Sequence, residues 1–303
     1  MLATFGALAP VFILIALGWL LRTRGFPGDQ FWPAAERLVY FVLFPALLFL
    51  TTAAADLDAL ALVPLAGALL AAIGGTLALT AALRPWLRVG DAAFTSVLQG
   101  AVRCNTYVAL AAGSALFGEV GLTIMGLVVF VAVTTVNVVS VVALIHYGRR
   151  AAGPLDALAS VVRNPLILAC VAGFAGNALG IGLPTVAAET LDVLGRASLA
   201  LGLLCVGAGL ELAHLGRARL AAVATAVLKL LVFPGATALA CRLFGIDALS
   251  TAVAVVFTAA PISASSYVLA RQLGGDAPML AGLITITTIA AFATMPLVLA
   301  VLT

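Results

Sequence analysis

One arginine stands in the middle of a long apolar stretch of the chain, inside a short polar run. Arg103 lies between Gln99 and Thr106, and apolar residues flank this run on both sides. If the stretch crosses a bilayer, the charge costs several kcal/mol unless it faces protein or water. A planar, permanently charged guanidinium can hold a carboxylate with two hydrogen bonds. Arg103, Asn105 and Thr106 are therefore candidate anion-binding residues; the alternative is that Arg103 bonds a backbone carbonyl or a helix end.

A second polar run surrounds a proline in a later apolar stretch. Pro261 removes a backbone N–H and clashes with the preceding turn, while Ser263 and Ser265 can hydrogen-bond the groups that are freed. Broken membrane helices expose N-termini whose partial positive charge and free N–H groups suit an anion. The two runs together predict an anion site where two broken helices cross. The alternative is a plain kink packed by small residues.

A lysine is also predicted to lie deep within an apolar stretch. Lys229 is ten residues beyond Arg219, which corresponds to a depth of about 15 Å at 1.5 Å per residue. At that depth the ammonium cannot easily reach the membrane surface. This position indicates either a role in substrate binding or gating, or a structural bond to the carbonyls of a broken helix. Other polar residues within the stretches, such as Asn137 and Thr287, are typical of contacts that hold helices together.

The composition requires lipid as the solvent for most of the surface. Of the 303 residues, 64% are hydrophobic and 9% are charged, whereas a soluble domain carries about 25% charged residues. Apolar stretches of about 20 residues, the length that crosses a bilayer, recur along the whole chain. The period-two alternation of a membrane barrel is absent. The sequence therefore predicts an all-α integral membrane protein.

Ten such stretches are expected to form transmembrane helices. We place them near 4–22, 34–53, 59–83, 92–116, 122–147, 163–180, 196–213, 219–243, 248–271 and 279–302, with an amphipathic link from Pro184 to Gly195.

The basic residues predict the orientation of these helices. Eleven of the fifteen lysines and arginines fall in alternate loops, and the opposite loops hold only Arg196 and Arg242. Because basic loops stay in the cytoplasm, both termini are expected on the non-cytoplasmic side of the inner (plasma) membrane. The eleven residues are Arg22, Arg24, Arg37, Arg84, Arg88, Arg149, Arg150, Arg163, Arg217, Arg219 and Arg271.

The two halves of the chain share spacings that suggest an internal repeat. Asn105 precedes Gly118 by 13 residues, and Pro261 precedes Gly274 by 13 residues. Since five spans per half is an odd number, the second half must insert upside down relative to the first. Inverted repeats are typical of secondary transporters, whose substrate site lies near the membrane midplane. We expect residues 1–150 to form the first repeat and residues 151–303 the second.

Other classes of function lack a signal in this sequence. No HExxH or GxSxG motif is present, the four cysteines have no metal-ligand spacing, and the basic residues form no single patch. We therefore expect no enzyme activity, no cofactor, no metal and no nucleic-acid partner. A membrane receptor or scaffold without transport remains the alternative, and an intramembrane enzyme is a more distant one. A receptor would need no helix break.

Five segments resemble the auxin efflux carrier family, and the resemblance extends over nearly the whole chain. They are PVFILIALGWLLRTRG, RLVYFVLFPALLF, RCNTYVALAAGSALFG, LGLLCVGAGL and AAPISASSYVLARQLGGD, in this order. Bacterial members of that family are similar to the plant PIN carriers and include malate and malonate permeases. The resemblance implies a transporter of small organic anions, namely carboxylates such as malate, malonate or auxin-like acids.

The resemblance also implies an architecture and a site. It implies ten spans in two inverted five-helix repeats, with broken fourth and ninth helices that cross as they do in bile-acid symporters. Spans 1, 2, 6 and 7 would form a scaffold domain, and spans 3–5 and 8–10 a transport domain. By position, Asn105 matches the family's crossover asparagine, Pro261 its crossover proline, and Arg103 an arginine common in bacterial members. Coupling to protons or sodium, and a homodimer, are left open.

Overall fold

Every regular element in the described part of the chain is a helix. The computed structural model describes residues 2–54, 62–147, 162–210 and 219–303. Arg149, Arg150 and Arg217, which contribute to the predicted orientation, lie outside these ranges. The α-helices are α1 (Leu2–Thr23), α2 (Phe31–Leu38), α3 (Phe44–Ala53), α4 (Leu62–Leu87), α5 (Asp91–Val102), α6 (Thr106–Tyr147), α7 (Pro165–Ala178), α8 (Thr185–Ala208), α9 (Arg219–Val227), α10 (Phe233–Leu243), α11 (Ala248–Ala259), α12 (Ser265–Leu273) and α13 (Ala277–Leu302).

Seven helical segments of the described residues are long and apolar enough to cross a membrane. Large hydrophobic side chains on these segments point outward, among them Val63 and Val301, which are 82% and 76% exposed. Such exposure suits a lipid environment, because contiguous apolar surface in water is rare. The protein is therefore a multi-pass membrane protein. The seven segments are Thr4–Thr23, Phe31–Ala53, Leu62–Leu87, Thr106–Leu144, Thr185–Ala208, Leu220–Leu243 and Ala277–Leu302.

Two of these segments contain a short π-helical turn followed by a proline. The turns are Val39–Leu43 and Leu228–Val232, and each is followed by phenylalanine and then proline, at Pro45 and Pro234. Proline offers no N–H to the preceding turn and crowds its carbonyl. A widened turn is one way to relieve this conflict without ending the helix. Both segments therefore continue through their prolines.

One predicted boundary is wrong, whereas the predicted interruption at Gly118 is present in the structure. The amphipathic link from Pro184 to Gly195 does not exist, because α8 runs without interruption through this region. Gly195 does not end the helix but lets it approach another one, since a Cβ there would lie 3.2 Å from Leu47 Cδ1. The predicted helices 92–116 and 122–147 meet at Gly118, whose φ of 61° and ψ of −146° interrupt the helical path within α6.

The helices pack in two main groups. In one, α1 packs chiefly on α8, and α3 packs on α7 and α8; in the other, α11 lies against α6 and α10, and α4 contacts α5 and α10. Small residues allow the closest approaches between membrane helices. Gly18 faces the backbone of Leu204, and Gly207 faces the backbone of Ile15. The ends of α5, α6, α11 and α12 meet within the second group.

Candidate anion-binding site

Two helices are interrupted where the sequence places its polar runs. The first break separates α5 from α6, and Arg103 there has an extended backbone, with φ −87° and ψ 105°. The second separates α11 from α12, and Ala260 is likewise extended, with φ −60° and ψ 148°. Each break leaves backbone groups without helical partners, and these must bond elsewhere if they are buried.

The two extended segments satisfy each other's backbone groups. The Asn105 N–H donates to the carbonyl oxygen of Pro261 at 2.7 Å, and the Ser263 N–H donates to the carbonyl oxygen of Arg103 at 3.2 Å. These bonds form an antiparallel bridge between Cys104 and Ile262. The breaks are thus joined directly, and we call this pairing the crossover.

A threonine of α13 completes the bonding of the crossover. The Ile262 N–H donates to Thr287 Oγ1 at 3.2 Å, and that hydroxyl donates in turn to the carbonyl of Leu283 at 2.8 Å. Thr287 therefore holds a helix to the crossover, in keeping with the structural role expected for the threonines.

Asn105 caps the second half of the broken helix. Its Oδ1 accepts hydrogen bonds from the N–H groups of Tyr107 at 3.1 Å and Val108 at 3.3 Å. This is the N-cap interaction that asparagine favours. Thr106, the first residue of α6, is buried beside it. The Asn105 side-chain oxygen is therefore occupied, while its amide N–H₂ has no partner among the described hydrogen bonds.

The Arg103 guanidinium is held by three neutral side chains. Nε donates to Ser265 Oγ at 3.1 Å, Nη1 to Ser140 Oγ at 3.2 Å and Nη2 to Asn137 Oδ1 at 2.6 Å. Since a guanidinium carries five N–H groups, two remain for a further acceptor. Arg103 takes part in none of the ion pairs found among the described residues. Its charge is therefore fixed in position, and no carboxylate of the described residues neutralises it.

The serines after Pro261 form a small cluster next to this guanidinium. Ser263 Oγ lies 2.9 Å from Ser265 Oγ, and the Ser265 N–H points to Ser263 Oγ at 3.4 Å. Ser266 Oγ donates to the carbonyl of Ser263 at 2.5 Å. Ser265 is the first residue of α12, so the positive end of that helix lies beside Arg103.

Lys229 reaches the crossover from another side. Its side chain is fully buried, and Nζ donates to the carbonyl oxygen of Thr258 at 2.6 Å and to Cys104 Sγ at 3.1 Å. The ammonium also lies 5.0 Å from the centre of the Phe233 ring. These are contacts to the end of a broken helix, the structural alternative considered for this lysine. No described hydrogen bond links Lys229 to the Arg103 group.

Residues 154–299 match the model of a family described as a membrane transport protein. This match supports the resemblance of the chain to the auxin efflux carrier family. The matched segment contains the Pro261 half of the crossover and Lys229, while Arg103 and Asn105 precede it. Among curated proteins, none matches the chain.

Two of the three partners of Arg103, Ser140 and Asn137, are not predicted from the sequence as site residues. Asn137 was interpreted as a residue that holds helices together, and Ser140 was not considered. Both are buried on α6. They are three residues apart, which places them on one face of the helix. That spacing, on a helix predicted to lie beside the arginine, is the signal that could have found them.

A further neighbour of Arg103 comes from the first group of helices. Tyr40, on the π-turn between α2 and α3, lies within electrostatic range of the Arg103 guanidinium. The two residues belong to helices of different packing groups. The guanidinium therefore lies near the boundary between these groups.

Proposed function

We propose that the protein is a secondary transporter of small organic anions, namely carboxylates such as malate, malonate or auxin-like acids, and that they bind at the crossover. The observation that carries the proposal is the half-buried Arg103 guanidinium, held by neutral side chains and without a described carboxylate partner. An isolated positive charge in a membrane is expensive. A bound carboxylate would neutralise the charge of Arg103 and accept hydrogen bonds from its two free N–H groups.

The helix ends at the crossover support an anion site. The N-terminus of α12 lies beside Arg103, so its partial positive charge adds to that of the guanidinium. The C-terminus of α11 carries the opposite partial charge, and Lys229 neutralises it by bonding Thr258. A substrate at Arg103 would therefore meet positive potential without the opposing field of the other helix end.

We further propose ten spans arranged as two inverted repeats. At 1.5 Å per residue, α11 and α12 have lengths of about 18 Å and about 13 Å, so neither crosses a core of about 30 Å alone. Joined through the break, they form one span, and so do α5 and the part of α6 before Gly118. The two packing groups support a scaffold domain of spans 1, 2, 6 and 7 and a transport domain of the rest.

In this arrangement the termini lie outside the cytoplasm, in the inner membrane. A reporter fused after Thr303 tests the orientation, because alkaline phosphatase would be active there and a cytoplasmic fluorescent reporter would not. The reverse result would contradict the span count, since one span more or fewer moves the C-terminus across the membrane.

The competing functions receive less support. A receptor or scaffold without transport needs no broken helices, whereas both crossing helices are interrupted here. The matched family is one of transporters, which agrees with the expectation that the chain is not an enzyme.

The decisive experiment is uptake into proteoliposomes made with the purified protein. Labelled malate, malonate and indole-3-acetate are offered with and without proton and sodium gradients. We expect saturable uptake of at least one acid in the wild type and a loss of uptake in Arg103→Gln. The gradients distinguish proton coupling, sodium coupling and transport driven by the substrate alone. Absence of uptake for every acid under all gradients, with folded protein in the vesicles, would contradict the proposal.

A further inference from the structure

Gln99 is a fully buried amide without a hydrogen-bond partner. Only 1% of the residue is exposed, and neither Nε2 nor Oε1 forms a hydrogen bond. Buried side-chain amides in folded proteins are nearly always paired, because an unpaired donor or acceptor forfeits the hydrogen bonds that it made to water. Two unpaired atoms on one side chain therefore leave one donor group and one acceptor free to bond a ligand.

Gln99 shares a helix face with Arg103. The Arg103 N–H donates to the carbonyl of Gln99 at 2.9 Å, so the helical turn continues up to the arginine. Residues four apart in a helix are neighbours, with Cβ atoms about 5–6 Å from each other. The side chain with the unpaired amide therefore starts one helical turn before the arginine that has two N–H groups to spare.

The other polar groups on this face of α5 are already bonded. Thr95 donates to the carbonyl of Ala92 at 2.7 Å, and Ser96 donates to the carbonyl of Asp276 at 3.0 Å. Between the start of α5 and Arg103, Gln99 is the first side chain with unfilled hydrogen-bonding capacity. The Gln99 amide therefore differs from the Thr95 and Ser96 hydroxyl groups, which bond backbone carbonyls of the protein.

We infer that Gln99 is a specificity-determining residue that hydrogen-bonds a second polar group of the anion held by Arg103. The inference rests on the proposed function. An amide donates through Nε2 and accepts through Oε1, so it is satisfied by a hydroxyl group, which also donates and accepts. A plain aliphatic acid would leave both amide atoms unpaired. Sites built to bond a hydroxyl strongly reject the analogue that lacks it.

A matched pair of acids tests this inference. Butyrate and 4-hydroxybutyrate differ only in a terminal hydroxyl, and their dissociation constants are measured by isothermal titration or by inhibition of uptake. We expect the wild type to bind the hydroxy acid at least about tenfold more tightly. In Gln99→Leu this ratio falls to near one, while the affinity for butyrate is kept. The leucine removes two unpaired atoms, so we expect the thermal midpoint to stay equal or rise.

Two further variants separate the explanations. Thr294→Val also removes a buried unpaired atom, but on α13 and not on the helix that leads to Arg103, and it should leave the ratio unchanged. Arg103→Gln should lower the affinity for both acids by a similar factor. Suppose that Arg103→Gln weakens the binding of both acids but Gln99→Leu keeps the wild-type ratio of their dissociation constants. The amide is then satisfied by water, and the inference about Gln99 fails while the proposed anion site stands. If Arg103→Gln leaves both affinities intact, the proposed site itself is wrong. Failure of the wild type to bind either acid also overturns the inference.

Discussion

Lys229 Nζ lies 2.6 Å from the carbonyl oxygen of Thr258, one residue before α11 ends. The lysine is 0% exposed. A buried ammonium is costly unless it is paired and hydrogen-bonded, and here it bonds the negative end of a helix whose carbonyls the break has left free. The C-terminus of α11 thus compensates the charge of Lys229, and no acidic side chain is needed.

Lys229→Met is expected to destabilise the protein by about 1–3 kcal/mol, because it leaves a buried carbonyl unpaired. The measurement is the thermal midpoint of the purified protein in detergent. Cys104→Ala is the control, since it removes only the weaker thiol partner at 3.1 Å, and its midpoint should change little. A Lys229→Met protein with unchanged stability but no uptake would point instead to a direct role in transport.

Arg103→Lys is expected to bind anions at least about tenfold more weakly than the wild type. The ammonium keeps the charge but lacks the planar fork that bonds Ser265, Ser140 and Asn137 while presenting two more N–H groups. Dissociation constants and thermal midpoints are measured together. A parallel loss of stability, with affinity intact in the folded fraction, would mean that Arg103 has a structural role.

Asn105 allows its capping role to be separated from its role near the anion. Asn105→Asp keeps the oxygen that accepts from Tyr107 and Val108, so it retains the cap, and any loss of stability comes from burying its carboxylate near Arg103. The added negative charge competes with a bound carboxylate, so affinity should fall. Asn105→Ala loses the cap as well and should cost about 1 kcal/mol of stability. Equal affinity of Asn105→Asp and wild type for all tested acids would contradict an anion site here.

The sequence predicts those features of the site that depend on neighbouring residues in the chain. The break at Pro261 follows from the proline itself, whose ring and missing N–H interrupt a helix. The break at Cys104 has no proline and was predicted through the resemblance of its neighbour Asn105 to the family pattern. Both breaks are present in the structure.

Contacts between distant segments could not be predicted in the same way. Asn137 is 34 residues from the Arg103 that it bonds, and Lys229 is 29 residues from Thr258. Helical spacing places a side chain on a face but does not tell which helix lies opposite. The erroneous link before Gly195 has a related cause, because a glycine that serves close packing looks in sequence like a glycine that ends a helix.

The last prediction concerns Gly100, which lets α9 approach the crossover. A Cβ at this position would lie 2.6 Å from Thr225 Cγ2 and 3.3 Å from Ile262 Cδ1. Thr225 cannot easily rotate away, because its hydroxyl donates to the carbonyl of Ala221 at 2.7 Å. Gly100→Ala should therefore destabilise the protein by about 1–3 kcal/mol, as overpacking of a core does.

A second substitution tests whether this steric contact is the cause. Thr225→Ser removes Cγ2 and keeps the hydroxyl, so the double variant Gly100→Ala with Thr225→Ser should regain most of the lost stability. Thermal midpoints of the wild type, both single variants and the double variant form the required cycle. Because Ile262 belongs to the crossover, Gly100→Ala should also weaken anion binding, and the double variant should restore it. Additive effects of the two substitutions would show that Gly100 matters for another reason, such as the backbone freedom of the last turn of α5.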